Sequence, residues 1–129
     1  MTRLLLDTHL VLWWLAGDER LPAEVQKRVQ AQDSTVFVSQ ASLWEMAIKR
    51  SLGRLEVDLP ELERQVPLQG FHWLPIRNAH LLAVAELDHT PDHRDPFDRL
   101  LVCQSRVEPL LLLSVDAQLA RYGSTVCVV

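Results

Sequence analysis

The chain has 129 residues, of which 48% are hydrophobic and 23% charged, and its formal net charge is −4 at pH 7. This length fits one domain, expected over residues 1–129, and the hydrophobic content excludes an intrinsically disordered chain. The longest apolar run, residues 10–16, is far shorter than the roughly 20 residues of a membrane-spanning helix. The first residues also lack a secretory pattern, so we expect a cytoplasmic protein. The acidic balance removes the simplest argument for nucleic-acid binding, a strongly basic domain.

The first half of the chain alternates short apolar runs with helical patterns. Residues 4–6 are three leucines, which predicts a buried strand that ends at Asp7. Helices are expected over 9–16, closed by Gly17, over 22–30 and over 40–52, with a strand over 35–39.

The second half repeats this alternation. The pattern predicts helices over 60–69, 78–87 and 96–107, a short helix ending at Tyr122, and strands over 71–76, 110–113 and 125–129. We therefore predict an α/β fold, in three α/β/α layers, with a mainly parallel central sheet of four to five strands. Ligands of such sheets bind beyond the carboxyl ends of the strands, so the residues that directly follow the strands are the first candidates.

Two acids follow predicted strands directly. Asp7 and Asp116 come at the ends of leucine-rich runs, and their carboxylates meet at one edge of the sheet if the two strands are parallel neighbours. Each could instead be only the N-cap of the helix that follows it, because an aspartate oxygen often accepts a free backbone N–H there.

A third acid, Glu45, lies in an otherwise apolar helical stripe with Ala41, Trp44, Ile48 and Leu52. We expect this stripe to face the core. A carboxylate in such a place requires a partner, because burying an unpaired charge costs several kcal/mol. Lys49, one turn further along, is the simplest partner, and a cation shared by several acids is the other.

The loop before the helix at 96–107 carries two more acids. Asp95 precedes Pro96 and is well placed as the N-cap, which leaves Asp98 to point into the site. His93 is expected to be an ordinary loop residue and not a ligand.

Carboxylates from separated segments are typical ligands of hard divalent cations. Mg²⁺ and Mn²⁺ prefer oxygen ligands, and substrate phosphates commonly complete their coordination. Asp7, Glu45, Asp98 and Asp116 therefore predict a metal site acting on phosphate esters, where the cation generates a hydroxide nucleophile. The five histidines show no paired spacing of a zinc site.

Four sequence blocks resemble the PIN-domain ribonucleases, specifically the VapC toxins of bacterial VapBC toxin–antitoxin systems. These blocks are LLDTH at 5–9 with Trp13, SQASLWEMAIK at 39–49 with Gly53 and Leu55, HRDPFDRLL at 93–101, and LSVD at 113–116. Their order matches the family over nearly the whole chain. The last block has Ser114 where threonine is commoner in the family.

The resemblance implies a PIN-like endoribonuclease that uses Mg²⁺ or Mn²⁺ bound by Asp7, Glu45, Asp98 and Asp116, with Asp95 auxiliary. It also implies a homodimer that arrests translation, is neutralised by a VapB-like antitoxin, and reaches operator DNA only through the antitoxin complex. From the residues themselves, the hydroxyls of Thr8 and Ser114 are candidates to hydrogen-bond an acid or a water in the site.

Basic and aromatic side chains near the acids suggest further contacts. A bound metal supplies the positive field at the scissile phosphate, so the domain need not be basic overall. Of Trp13 and Trp14, adjacent on one helix, we expect one to be partly exposed and available to an antitoxin or a second subunit. The candidates for RNA contact are Lys49, Arg50, Arg54, Arg94 and Arg99, and those for antitoxin or dimer contact are Trp13, Trp14 and Trp44.

Two other classes of function stay open on the sequence. One is a phosphoryl-accepting α/β domain, although Asp7 is not followed by a second acid two residues later and Glu45 would have no role. The other is a non-catalytic binding module in which the acids serve only as caps and ion pairs.

Overall fold

A computed structural model describes residues 1–89, 92–93 and 95–129. The strands are β1 (Thr2–Leu6), β2 (Ser34–Ser39), β3 (His72–Leu74), β4 (Leu111–Ser114) and β5 (Val126–Val128). The helices are α1 (Thr8–Ala16), α2 (Ala23–Gln30), α3 (Gln40–Ser51), α4 (Leu59–Leu68), α5 (Asn78–Ala85) and α6 (Pro96–Val107), followed by a 3₁₀ helix, Ala117–Tyr122. Among the described helices, none is long and apolar enough to cross a membrane.

The five strands form one parallel sheet in the order β3-β2-β1-β4-β5, which confirms the predicted fold class. β1 lies at its centre, between β2 and β4. Leu6 pairs with Leu113 across β1 and β4, so Asp7 and Ser114 follow side by side at the carboxyl edge. The sequence predicted that Asp7 and Asp116 come together if their strands are parallel neighbours. β1 and β4 are such neighbours.

Side chains of β1 alternate between two hydrophobic clusters, one on each face of the sheet. Leu4 and Leu6 pack with α1, α2, α4 and Met46 of α3. Leu5 packs on the other side with Leu112 and the buried residues of α6. These two clusters hold the helix layers against the sheet and confirm the three-layer arrangement.

The predicted buried face of α3 is wrong in part. Trp44, Ile48 and Leu52 are 54%, 36% and 60% exposed, and only Ala41 and Glu45 of the predicted stripe are buried. The buried line of α3 consists instead of Ala41, Ser42, Glu45 and Met46. The buried stripe was predicted from the spacing of the apolar residues alone. In the structure the polar Ser42 and Glu45 face inward, because both form hydrogen bonds with Thr8 of α1.

Candidate active site

Asp7 lies buried at the centre of the carboxyl edge, with 6% of its surface exposed. Its Oδ1 accepts the backbone N–H of Leu10 at 3.0 Å, so it caps α1, and its Oδ2 accepts the hydroxyl of Ser114 at 2.5 Å. Burial raises the pKa of Asp7, while the hydrogen bonds from Ser114 and Leu10 act in the opposite direction. Asp7 is therefore the N-cap of α1 and also lies at the edge where a metal site is expected. The two interpretations, cap and metal ligand, are compatible.

Ser114 connects the two strand-end acids. Its Oγ donates to Asp7 and also accepts the backbone N–H of Asp116 at 3.0 Å. Asp116 caps the 3₁₀ helix through an Oδ1 contact of 2.9 Å to the N–H of Gln118. A fully buried serine therefore fixes the turn that brings the Asp116 carboxylate to the site.

Glu45 enters the site from α3 and is 6% exposed. Its Oε1 accepts the hydroxyl of Thr8 at 2.7 Å, and its Oε2 accepts the ammonium of Lys49 at the same distance. Ser42 Oγ lies 3.0 Å from the Thr8 hydroxyl. Lys49 is therefore a partner of Glu45, as the sequence allowed, and Thr8 orients the carboxylate.

Replacing Thr8 with valine tests this orientation. The change keeps the β-branched shape but leaves Glu45 Oε1 without its donor, so we expect the free energy of unfolding to fall by about 1–2 kcal/mol. Urea denaturation of the metal-free protein measures it. Thr35→Val, on β2 and outside the site, is the matched control, with a change within about 0.5 kcal/mol; equal losses in both variants would contradict the orienting role.

Asp98 lies in the first turn of α6, which Asp95 caps by accepting the N–H groups of Phe97 and Asp98 at 2.8 and 3.1 Å. The pKa of Asp98 is raised to about 7, first by burial and then by the negative charges of Asp95, Glu45, Asp7 and Asp116. Carboxylates from four separated segments thus repel one another at one place.

This arrangement fits a divalent cation. The donors are oxygens, and a cation among them would offset both the burial of Asp98 and the repulsion from the other acids that together raise its pKa. Within the described residues, one ligand atom each of His93, Asp98 and Asp116 lies within 4.8 Å of the other two. Asp7 and Glu45 lie outside this tight group but act on Asp98 through their charges.

The contribution of His93 was not predicted from the sequence. Only 5% of its surface is exposed, and its Nε2 lies 3.4 Å from Asp98 Oδ2. The available signal was its position five residues before Asp98, in the same block as Asp95. A loop residue at that spacing gives no indication of burial, so only the three-dimensional structure places it.

The basic candidates for RNA contact are arranged unequally. Lys49 pairs with Glu45, while Arg50 and Arg54 are exposed. Arg99 is held by the structure instead, because its guanidinium donates to the carbonyls of Leu87 and Asp88 at 3.3 and 3.1 Å. Arg94 lies outside the described residues.

Both tryptophans of α1 are half-buried. Trp13 stacks under the Arg20 guanidinium, 5.2 Å from the ring centre. Trp14 packs on Phe71 and donates its Nε1–H to Gln69 at 3.1 Å. Trp44 differs from both, because it is exposed and touches only the edge of Phe97 among described aromatic rings, at 4.9 Å between ring centres.

A groove of about 510 Å³ opens beside the acids, between α1, α3 and α4. Thr8 and Lys49 line its end at the site, and Leu12, Trp13 and Leu62 line its apolar wall. The groove also carries charged side chains, including Asp18, Arg20 and Glu61, so it leads from the acidic site along a surface of mixed character.

Comparison with known proteins concerns the family and the fold. The sequence profile described as PIN domain matches residues 4–124. The chain belongs to the PIN domain family. No curated protein matches the sequence of this PIN domain.

A solved structure shares the fold of this PIN domain. It is the crystal structure of VapBC2 from Rickettsia felis bound to a DNA fragment from their promoter. The TM-score is 0.72 at 12% sequence identity, and the match covers 99% of this chain and 98% of the other. At this identity, the likeness concerns the fold alone.

Proposed function

We propose that this PIN domain is the toxin of a VapBC-type toxin–antitoxin pair and a metal-dependent endoribonuclease. It would cleave RNA phosphodiester bonds with Mg²⁺ or Mn²⁺ held by Asp7, Glu45, Asp98 and Asp116, and thereby inhibit translation and growth. The observation that carries this proposal is the convergence of these acids around Asp98, whose pKa burial and the neighbouring negative charges together raise to about 7. The fold shared with the Rickettsia felis toxin–antitoxin complex supports the class.

The chain's own residues prepare the site for a phosphodiester. A bound cation supplies a hydroxide nucleophile at neutral pH and offsets the charge that develops on the phosphate and the leaving oxygen. Thr8 and Ser114 hold the carboxylates of Glu45 and Asp7 in fixed directions through their hydrogen bonds. Lys49 stays beside Glu45, where its ammonium is half-exposed and can reach a phosphate oxygen.

Exposed arginines extend this surface toward the RNA backbone. Arg54 lines the groove beside the site, and Arg50 of α3 lines a neighbouring cavity that shares residues 55–58 with that groove. Their guanidinium groups can bind the phosphates on either side of the scissile bond. Arg99 has a structural role in the described conformation, since its donors are used by backbone carbonyls.

We assign the partners of the toxin to two separate surfaces. The groove walled by Leu12 and Trp13 is the candidate site for a VapB-like antitoxin, whose tail would cover the acids as well. The exposed Trp44, Ile48 and Leu52 on α3 are candidates for a homodimer contact. Operator DNA is reached only through the antitoxin complex in this proposal.

Cleavage of a fluorescently labelled RNA tests the function. The purified protein is expected to cut it in millimolar Mg²⁺ or Mn²⁺ and to stop in excess EDTA, with activity returning when metal is restored. Cleavage that continues unchanged in EDTA would contradict the metal-dependent mechanism. Transfer of a phosphoryl group from a small donor onto the protein, without RNA cleavage, would favour the phosphoryl-accepting alternative.

A further inference from the structure

The ring of His93 is held rigidly against the 3₁₀ helix. Its Nδ1 lies 2.8 Å from the hydroxyl oxygen of Tyr122, and the two rings pack edge to face at 5.5 Å between centres. Arg99 donates to the same hydroxyl at 3.3 Å, which fixes Tyr122 in turn. The orientation of the imidazole is therefore set by contacts on its Nδ1 side.

The opposite nitrogen of His93 has no hydrogen-bond partner among the described residues. It is buried and lies 3.4 Å from Asp98 Oδ2, in a geometry that does not form a hydrogen bond. Burying a polar nitrogen without a partner is unfavourable, so the position of Nε2 indicates that it binds a group absent from the protein itself. The carboxylates of Asp98 and Asp116 are the acidic groups near enough to bind the same cation as this nitrogen.

The contacts of His93 match those of a metal-ligating histidine. Such a residue binds the metal through one nitrogen and donates the N–H of the other to a nearby oxygen. In the tautomer protonated on Nδ1, His93 donates to Tyr122 and presents the Nε2 lone pair toward Asp98 and Asp116. One ligand atom of each of these three residues lies within 4.8 Å of the others, so the three side chains are close enough to share one ion.

We propose that His93 Nε2 is a ligand of the metal bound by Asp98 and Asp116, which makes the centre favour Mn²⁺ over Mg²⁺. This inference rests on the proposed metal-dependent function. Carboxylate oxygens suit both ions, but an imidazole nitrogen favours transition metals over Mg²⁺. His93 thus converts a site of oxygens alone into a mixed site and determines which ion is retained.

Pulsed electron paramagnetic resonance of bound Mn²⁺ tests the proposal directly. The wild-type protein is expected to show modulation from a directly bound ¹⁴N nucleus, which ¹⁵N-labelled histidine changes to the ¹⁵N pattern without any substitution. His93→Gln should abolish the coupling and weaken Mn²⁺ binding by about tenfold or more, while Mg²⁺ binding by calorimetry changes less. His9→Gln, which removes another imidazole near Asp7, is the control and should retain the coupling.

The outcomes separate this inference from the function on which it rests. Mn²⁺ that binds without nitrogen coupling, or coupling that persists in His93→Gln, would overturn the ligand assignment and leave the metal-dependent nuclease standing. Failure of the wild-type protein to bind Mn²⁺ at all would overturn both. If His93→Gln does not fold, the ¹⁴N and ¹⁵N histidine comparison is made in the wild-type protein and in His9→Gln. Nitrogen coupling that persists without His9 supports His93, and coupling that disappears with His9 overturns the assignment.

Discussion

Substituting Asp98 with asparagine is expected to remove RNA cleavage, lowering its rate by at least about a hundredfold, as is typical when one electrostatic group of an active site is lost. Growth arrest on expression should disappear with it. Asp98 lies where the charges of the other acids converge, so its loss removes a proposed metal ligand from the middle of the site. The shape of the residue is unchanged, and α6 keeps its cap at Asp95.

The matched control is Asp33→Asn. This acid is exposed and adjoins the amino end of β2, at the opposite edge of the sheet from the site, and the substitution removes the same charge. Its cleavage rate should stay within about twofold of the wild-type rate, because an exposed charge far from the site is largely screened. Cleavage by Asp98→Asn at the wild-type rate would show that the acids on this edge are not the catalytic site.

The strand-end acids were predictable because their placement follows from a local rule. A continuous apolar run that ends at an acid, as at Asp7, or shortly before one, as at Asp116, predicts the carboxyl end of a buried strand. What the sequence did not contain was the neighbour relation of β1 and β4. That relation depends on the sheet order, which brings Ser114 beside Asp7 across more than a hundred residues of chain.

The orientation of α3 shows where such rules fail. A helical pattern defines a face, but it does not say whether the face packs on the core or stays exposed for another chain. Met46 turned inward and Trp44 outward, because the buried side of α3 is organised by Glu45 and its contact to Thr8. An amphipathic pattern therefore gave the helix and its acid correctly but not the direction of its apolar stripe.

Contacts between distant residues were beyond the sequence for the same reason. Arginine is usually a surface residue, and only the hydrogen bonds from Arg99 to the carbonyls of Leu87 and Asp88 reveal its structural role. His93 lies in a polar segment that is typical of a loop, and only its contacts with Tyr122 and Asp98 reveal that the ring is buried. Neither pairing leaves a spacing that could be read along the chain.

The metal-free protein is expected to lose stability as the pH rises from about 4 to about 7. The pKa of Asp98 is about 7 in the folded protein, whereas the ordinary pKa of an aspartate is 3.8. The folded state therefore binds more protons than the unfolded state in this window, and its stability falls as the pH increases. Asp7 acts in the same direction, because burial raises its pKa as well.

Surface ion pairs do not cancel this effect. The pKa values of Asp18, Glu61 and Asp92 are lowered by hydrogen bonds from arginines, so their contributions to stability disappear only as the pH falls below about 4.

Ionisation of Asp98 should lower the free energy of unfolding by about 2 kcal/mol at pH 8. One pKa unit is about 1.4 kcal/mol, and water partly screens a side chain that is 27% exposed. For a domain of this size, that corresponds to about 8 °C in Tm.

Thermal melts with and without Mn²⁺ at pH 5 and pH 8 measure both effects. At pH 8, Mn²⁺ at a hundred times its Kd should increase the free energy of unfolding by about 2.7 kcal/mol, because it binds only the folded site. The Tm should therefore rise strongly. At pH 5 protons occupy the site, so the same concentration should shift the Tm little. Asp98→Asn should flatten the pH dependence of the metal-free protein, whereas Asp33→Asn should preserve it. An equal Mn²⁺ shift at both pH values would mean that the cation and the proton do not compete for these carboxylates.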